Sequence, residues 1–221
     1  MNTAFFDFFD RLAANMNREW FNAHKDIYRQ NVYEPFYELT SRCLQLARAE
    51  IDPAIPADPR QAMFRIYRDT RFSADKSPYK LWMGAVVSRG GRKNSRWPEL
   101  YFQFGHERNF IAGGLYRPDK EILARIRTAI ATDPARIDRI NNNGRLRRFF
   151  PGGLLGQRNK RLPSKEWMQI ARHQPFILNK QFYTYKEIPR SEILHIDDLA
   201  RWIVDHFRAL QPWNDFLTEL I

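Results

Sequence analysis

The segment Arg65-Ile-Tyr-Arg-Asp-Thr-Arg-Phe-Ser-Ala-Asp-Lys-Ser-Pro-Tyr79 places four cations, two carboxylates and two tyrosines within fifteen residues. Charge at this density serves one of three ends: an anion pocket, a catalytic centre, or a web of ion pairs that holds a fold. If Phe64 to Phe72 is extended, alternation sets Arg65, Tyr67, Asp69 and Arg71 on one face and Phe64, Ile66, Arg68, Thr70 and Phe72 on the other. Arg68 then points among apolar residues. A guanidinium keeps its proton, so it needs a carboxylate there, and Glu19 in Asn17-Arg-Glu-Trp-Phe21 is the expected partner of a structural ion pair. Arg65 and Arg71 flank Asp69, which cannot neutralise both. Lys76 follows, and Tyr79 adds a hydroxyl after the Ser77-Pro78 turn. Convergent cations with a hydroxyl donor suit a phosphate or carboxylate. The expected ligand site is therefore Arg65, Arg71, Lys76 and Tyr79, with Asp69 orienting the arginines. The competing structural reading is a surface ladder of ion pairs, each contributing about 0–1 kcal/mol.

If the site is catalytic, Asp69 is the candidate base, Tyr79 the candidate acid, and His24 a further candidate should its helix pack on the open face of a sheet. A packed, hydrogen-bonded histidine beside Trp20 and Tyr28 is the plainer expectation for His24. A metal-dependent nuclease centre is not expected, because Asp75 and Lys76 are adjacent and diverge in an extended chain. The five histidines, at 24, 106, 173, 195 and 206, lack metal-ligand spacing, and Cys43 is the only cysteine, so neither a metal site nor an intrachain disulfide is expected. No cofactor motif is present: Gly152-Gly153-Leu-Leu-Gly156 lacks the Gly-Lys-Ser/Thr end of a phosphate loop.

Thirty-six Lys and Arg against twenty-five Asp and Glu give a formal charge of +11, which favours anionic partners. Much of the excess falls in residues 139–165, where Arg145, Arg147, Arg148, Arg158, Lys160 and Arg161 occur with no acid among them. That basic, Gly/Pro-rich segment reads as a loop. It carries the alternative of a non-enzymatic nucleic-acid-binding module, with Phe149, Phe150 and Trp167 for stacking; the plainer expectation is a solvated loop. No established nucleic-acid-binding signature accompanies it.

The elements that must position these residues show in the periodicity. Asn2 or Thr3 caps a helix with Phe5, Phe9, Leu12 and Met16 in one stripe, Asn17 restarts the chain, and Pro35 opens a third helix burying Phe36, Leu39, Cys43 and Leu46. After the proline-punctuated stretch 51–59, strands are expected at 64–66, 81–87, 100–104 and 110–116, joined by turns too short for parallel crossovers. Gly113-Gly114 within the last marks a bulge or a close approach. Asp119 caps a further helix, another follows Thr132-Asp-Pro134, and Asp197 or Asp198 opens a last long helix that Pro212 ends. No apolar run approaches the roughly 20 residues of a membrane span, and Asp7 and Asp10 inside the first phenylalanine cluster do not suit a signal peptide. With one cysteine, a cytoplasmic setting is expected.

The pattern Arg65-x-x-Arg68-Asp69-x-Arg71-Phe72-x-x-x-Lys76-x-Pro78-Tyr79 resembles the signature of a bacterial and fungal family, domain of unknown function 2461. Asn17-Arg-Glu-Trp-Phe21 with His24, Lys25 and Tyr28, Gly113-Gly114-Leu-Tyr116, and Pro212-x-x-Asp-Phe-Leu217 extend the likeness over nearly the whole chain. The resemblance implies one domain over residues 1–221 and assigns no activity. The expectation is thus an α+β domain with an antiparallel meander of about four strands packed by N- and C-terminal helices. It binds a small phosphorylated or carboxylated anion, as a binder or an enzyme; the alternatives are nucleic-acid binding through 139–165 and an interaction protein with ion-paired arginines.

Overall fold

The computed structural model describes residues 1–221. Asn2 accepts a hydrogen bond from the Phe5 amide at 3.2 Å and opens α1 (Thr3–Ala14), whose Phe5, Phe8, Phe9 and Leu12 form one buried stripe. Asn17 caps α2 (Arg18–Ala23). Then α3 (Lys25–Tyr28) runs through a π-helical turn into α4 (Glu34–Glu50), with Pro35 in the first turn, where its missing amide costs no hydrogen bond. Asp58 caps the short α5 (Pro59–Ala62).

Four strands follow in the order β1 (Trp82–Val87), β2 (Glu99–Gly105), β3 (Phe110–Leu115) and β4 (Phe182–Glu187), every neighbouring pair antiparallel. Between β3 and β4 lie α6 (Lys120–Thr132), α7 (Pro134–Asn141), α8 (Gly144–Phe149) and α9 (Lys165–Ile170). The chain closes with α10 (Arg190–Leu194), α11 (Leu199–Ala209) and α12 (Gln211–Thr218). The α+β class and the four-stranded meander are as the periodicity predicts, and helices from both ends cover one face of the sheet.

The register fixes what that face carries. Met83, Ala85 and Val87 oppose Phe104, Phe102 and Leu100, and Ile111 pairs with Phe102, so all seven enter one core with α1, α4 and α11. Leu115 and Phe182 pair at the other end and join a second core with α6, α7 and α12. Gly113 and Gly114 mark a close approach. A Cβ at Gly113 would lie 2.0 Å from Leu210, and Gly114 has φ +113° with Phe182 O and the Trp213 indole nitrogen against it.

Three predicted elements are corrected. Residues 64–66 are no strand of the sheet: the segment makes only isolated bridges, Met63 with Ala85 and Tyr67 with Tyr79. The fourth strand is instead Phe182–Glu187, whose open side carries Tyr183 and Tyr185 while polar Thr184 is buried, an inverted hydropathy pattern. The basic segment is not all loop, since Asn143 caps α8 and Leu146 anchors it in the core. Pro212 does not end a helix but sits in the first turn of α12. At the outer edge of β4, Leu155 bridges Tyr183. No helix is long and apolar enough to cross a membrane.

Candidate functional site

The charged motif folds as an irregular hairpin beside β1. Phe64 donates its amide to Gly84 O at 2.9 Å, Lys80 to Ile66 O at 2.8 Å, and Arg68 to Pro78 O at 3.0 Å. Exposure alternates from Arg65 to Arg71 as expected, but the chain turns at its tip and leaves Phe72 95% exposed.

Within the hairpin most cations are matched. Arg71 grips Asp69 through two guanidinium nitrogens at 3.0 and 2.7 Å, and that guanidinium holds the Asp69 carboxyl down at about 2. Arg68 pairs with Asp75, not with Glu19, because Asp75 folds back across the turn; Glu19 lies exposed on α2 with no ion-pair partner. Asp75 also accepts from the Ser77 amide and hydroxyl at 2.9 and 2.6 Å, so Arg68 and then Ser77 hold its carboxyl well below the usual range. Lys76 Nζ donates to Thr70 O at 2.9 Å. The Tyr79 ring is buried and stacked on Phe21 at 4.2 Å, a wall of the core rather than a ligand contact. His24 stacks on Trp20 at 4.1 Å with Nδ1 2.8 Å from Trp20 O, away from the open face. Arg71, Lys76 and Tyr79 are thus each engaged within the hairpin or the core, and of the four only Arg65 has no side-chain partner.

The uncompensated charge sits at the root of the hairpin. Arg65 is exposed and makes no side-chain hydrogen bond or ion pair. Lys80 Nζ, 3.0 Å from Arg65 O, lies over the rings of Trp82 at 4.7 Å and Phe64 at 5.4 Å and has no carboxylate partner. Burial lowers its pKa, and the fields of Arg65, Arg92 and Arg68 lower it further. Arg92 donates to Arg60 O at 3.3 Å and pairs with no acid. Lys80 and Arg92 lie outside the predicted site residues. Nothing in their local pattern marks them; only the folding of the hairpin onto β1 gathers them with Arg65.

Beside this cluster lies the face of the sheet turned away from α1, α4 and α11, on which Val86 and Gln103 are buried and Tyr185 is exposed. Trp82 from β1, Tyr101 from β2, Phe110 from β3 and Tyr183 and Tyr185 from β4 point to it, and none packs against either core. Phe64, Tyr101 and Phe110 follow one another at ring separations of 5.9 and 5.5 Å. Gly84 leaves the space that Trp82 and Tyr101 fill, since a Cβ there would come within 2.6 Å of the tyrosine hydroxyl and 2.9 Å of the indole. The Tyr101 hydroxyl donates to Gln103 Oε1 at 2.8 Å. Glu99 makes no ion pair on this face, and burial raises its carboxyl to about 7.

The residues of the nucleic-acid alternative are exposed: Arg145, Arg147 and Arg148 on α8, and Arg158, Lys160 and Arg161 beyond it, none with a carboxylate partner. Their proposed stacking rings differ in exposure. Phe150 is fully buried, Phe149 packs on His206 at 4.8 Å, and Trp167 is half-buried beside Arg127. A cavity of about 100 Å³, lined in part by Asp52, Arg89, Trp97 and Asn214, has its cation neutralised: Arg89 Nε lies 2.5 Å from Asp52. No three or more His, Cys, Asp or Glu side chains are grouped to hold a metal ion.

Fold and site define a basic α+β protein with a four-stranded sheet, helix-covered on one face and aromatic on the other. The chain belongs to the family described as conserved hypothetical protein, DUF2461, whose model matches residues 4–216. Comparisons with curated proteins and with solved structures find no match.

Proposed function

We propose that this protein binds a phosphorylated or carboxylated anion at the hairpin root, with Arg65, Lys80 and Arg92 as its cations. One observation carries the reading: Lys80 is held between two aromatic rings, close to three arginines, with no acid to neutralise it. Such a group is stabilised by an incoming negative charge, and the low-polarity rings strengthen that attraction. Arg71 and Arg68 hold the shape of the hairpin tip through Asp69 and Asp75, so the architectural reading suits these two arginines. Cys43, buried and with its thiol pKa pushed up by burial, suits a reducing, cytoplasmic setting.

Thermal unfolding with inorganic phosphate, pyrophosphate, nucleotides and dicarboxylates tests this. A ligand at a hundred times its Kd raises stability by about 2.7 kcal/mol, enough to move the midpoint by several degrees. Lys80→Ala and Arg65→Ala should abolish the rise, and Arg71→Ala should leave it. A wild-type protein indifferent to every anion, or an undiminished rise in Lys80→Ala, would rule the site out.

A further inference from the structure

We infer that the open sheet face is a docking surface for single-stranded nucleic acid, its bases stacking on Trp82, Tyr101, Phe110 and Tyr185 while its phosphates meet Arg65, Lys80 and Arg92. This deepens the anion reading above, on which it rests, by naming the class of ligand.

The first support is an inversion of hydropathy that packing alone does not ask for. Along β4 the two tyrosines turn away from the core, Tyr185 is 37% exposed, and Thr184 is buried with its hydroxyl unpartnered. Placing aromatic rings on the face turned away from α1, α4 and α11 and a hydroxyl in the interior opposes folding. A surface that stacks against planar rings gives that arrangement a use. Every nucleobase has such a ring, so aromatic platforms bind single strands with little regard to sequence.

The dimensions agree. Four strands spaced about 4.8 Å apart give a face wide enough for two or three bases side by side. Gly84, on the edge strand β1, lets Trp82 and Tyr101 pack over it, because any side chain there would displace both. The rim is positive where the rings end: Lys80 lies against Trp82, Arg117 lies over Tyr116 at 5.8 Å with no acid partner, and Arg108 stands over Phe110 at 5.3 Å. Of the two carboxylates on this face, Glu187 is paired with Arg108 at 3.2 Å, and burial favours the neutral form of Glu99, so neither repels a phosphate strongly.

Other occupants fit less well. An apolar protein surface would bury Arg65, Lys80 and Arg92 without counter-charge. A duplex hides its base faces inside its stack, and a flat sheet reaches only its backbone. In the α8 segment the cations stand beside Phe149 and Phe150, whose rings pack on His206 at 4.8 and 5.5 Å.

Fluorescence anisotropy with labelled ribo- and deoxyribo-oligonucleotides of about eight to ten nucleotides tests the assignment, against an abasic strand of equal length. Base-bearing strands of either sugar should bind roughly tenfold or more tighter than the abasic strand, the scale of one or more base–aromatic stacks. Tyr101→Leu and the exposed-site variant Tyr185→Ala should reduce base-bearing binding toward the abasic level and leave abasic binding unchanged. Lys80→Ala should weaken both, and charge reversal at Arg158, Lys160 and Arg161 should weaken neither; circular dichroism checks that each variant is folded. Equal binding of base-bearing and abasic strands overturns this inference while the anion reading stands. Preference for duplex, or loss of binding only in the 158–161 variant, also overturns it. Absence of oligonucleotide binding alongside a phosphate-dependent rise in Tm removes the nucleic acid alone, whereas absence of both removes the anion reading as well.

Discussion

Glu99 is a carboxyl given no donor and no cation, set beside Tyr101 on a half-open face, and its pKa is raised by burial from 4.5 to about 7. The folded state therefore holds its proton more tightly than the unfolded chain does. Its contribution to stability is fully present below the unfolded pKa and is lost as pH rises through the folded one. Allowing for partial exposure, the loss between pH 4.5 and 8 is about 1–3 kcal/mol. Glu99→Gln should remain as stable as wild type at low pH and be the more stable of the two at pH 8. Urea unfolding of both proteins at pH 5 and pH 8 measures this, and equal pH dependence would show that Glu99 is solvated.

At the scale of elements, the β3 glycines have the least freedom. Gly114 combines φ +113° with Phe182 O 2.4 Å from where a Cβ would stand, so relief requires β3 and β4 to part. Gly114→Ala should lower stability by about 1–3 kcal/mol or more, whereas Gly152→Ala, with nothing within 4 Å, should be near neutral. Chemical denaturation of the two variants checks the contrast; similar midpoints would mean the strand pair adjusts freely. Elements with a local stop or start were legible in the sequence: the caps at Asn17 and Asp119 are the observed ones, and of the paired alternatives at the first and last long helices the structure takes Asn2 and Asp198. The fourth strand was not, for two physical reasons. Its partner β3 lies far back along the chain, and Tyr183 and Tyr185 face outward while Thr184 is buried, so alternation misassigns its sides. The hairpin 64–80 misled in the opposite sense, since isolated bridges give alternating exposure without adding a strand to the sheet.

For the molecule as a whole, Glu99 has an opposing partner in His206. That ring is packed against Trp202, Phe149 and Phe150, and burial lowers its pKa from 6.5 to about 4. Its neutral form is favoured by folding, so its contribution is present above the unfolded pKa and is lost as pH falls from about 6.5 toward 4. Over pH 4.5–6.5 the two slopes oppose each other, and wild-type stability should be nearly flat with respect to this pair. Glu99→Gln should leave a protein that stabilises as pH rises through this window; His206→Leu should leave one that destabilises. Denaturant midpoints at half-unit pH steps would expose the two slopes, and parallel profiles would break the assignment. Of the candidate site, Arg65 was legible from charge counting, but Lys80 and Arg92 were not, because sequence distance hides which cations meet once the hairpin folds onto β1. The bridges flanking the sheet have a consequence of their own. Met63 occupies the border of β1 and Leu155 that of β4, so both lateral rows of amides and carbonyls are partly engaged by the chain itself. Growth by adding strands from a neighbouring copy is thereby obstructed, which lets a protein carry a broad tyrosine-rich plane without inviting fibrils.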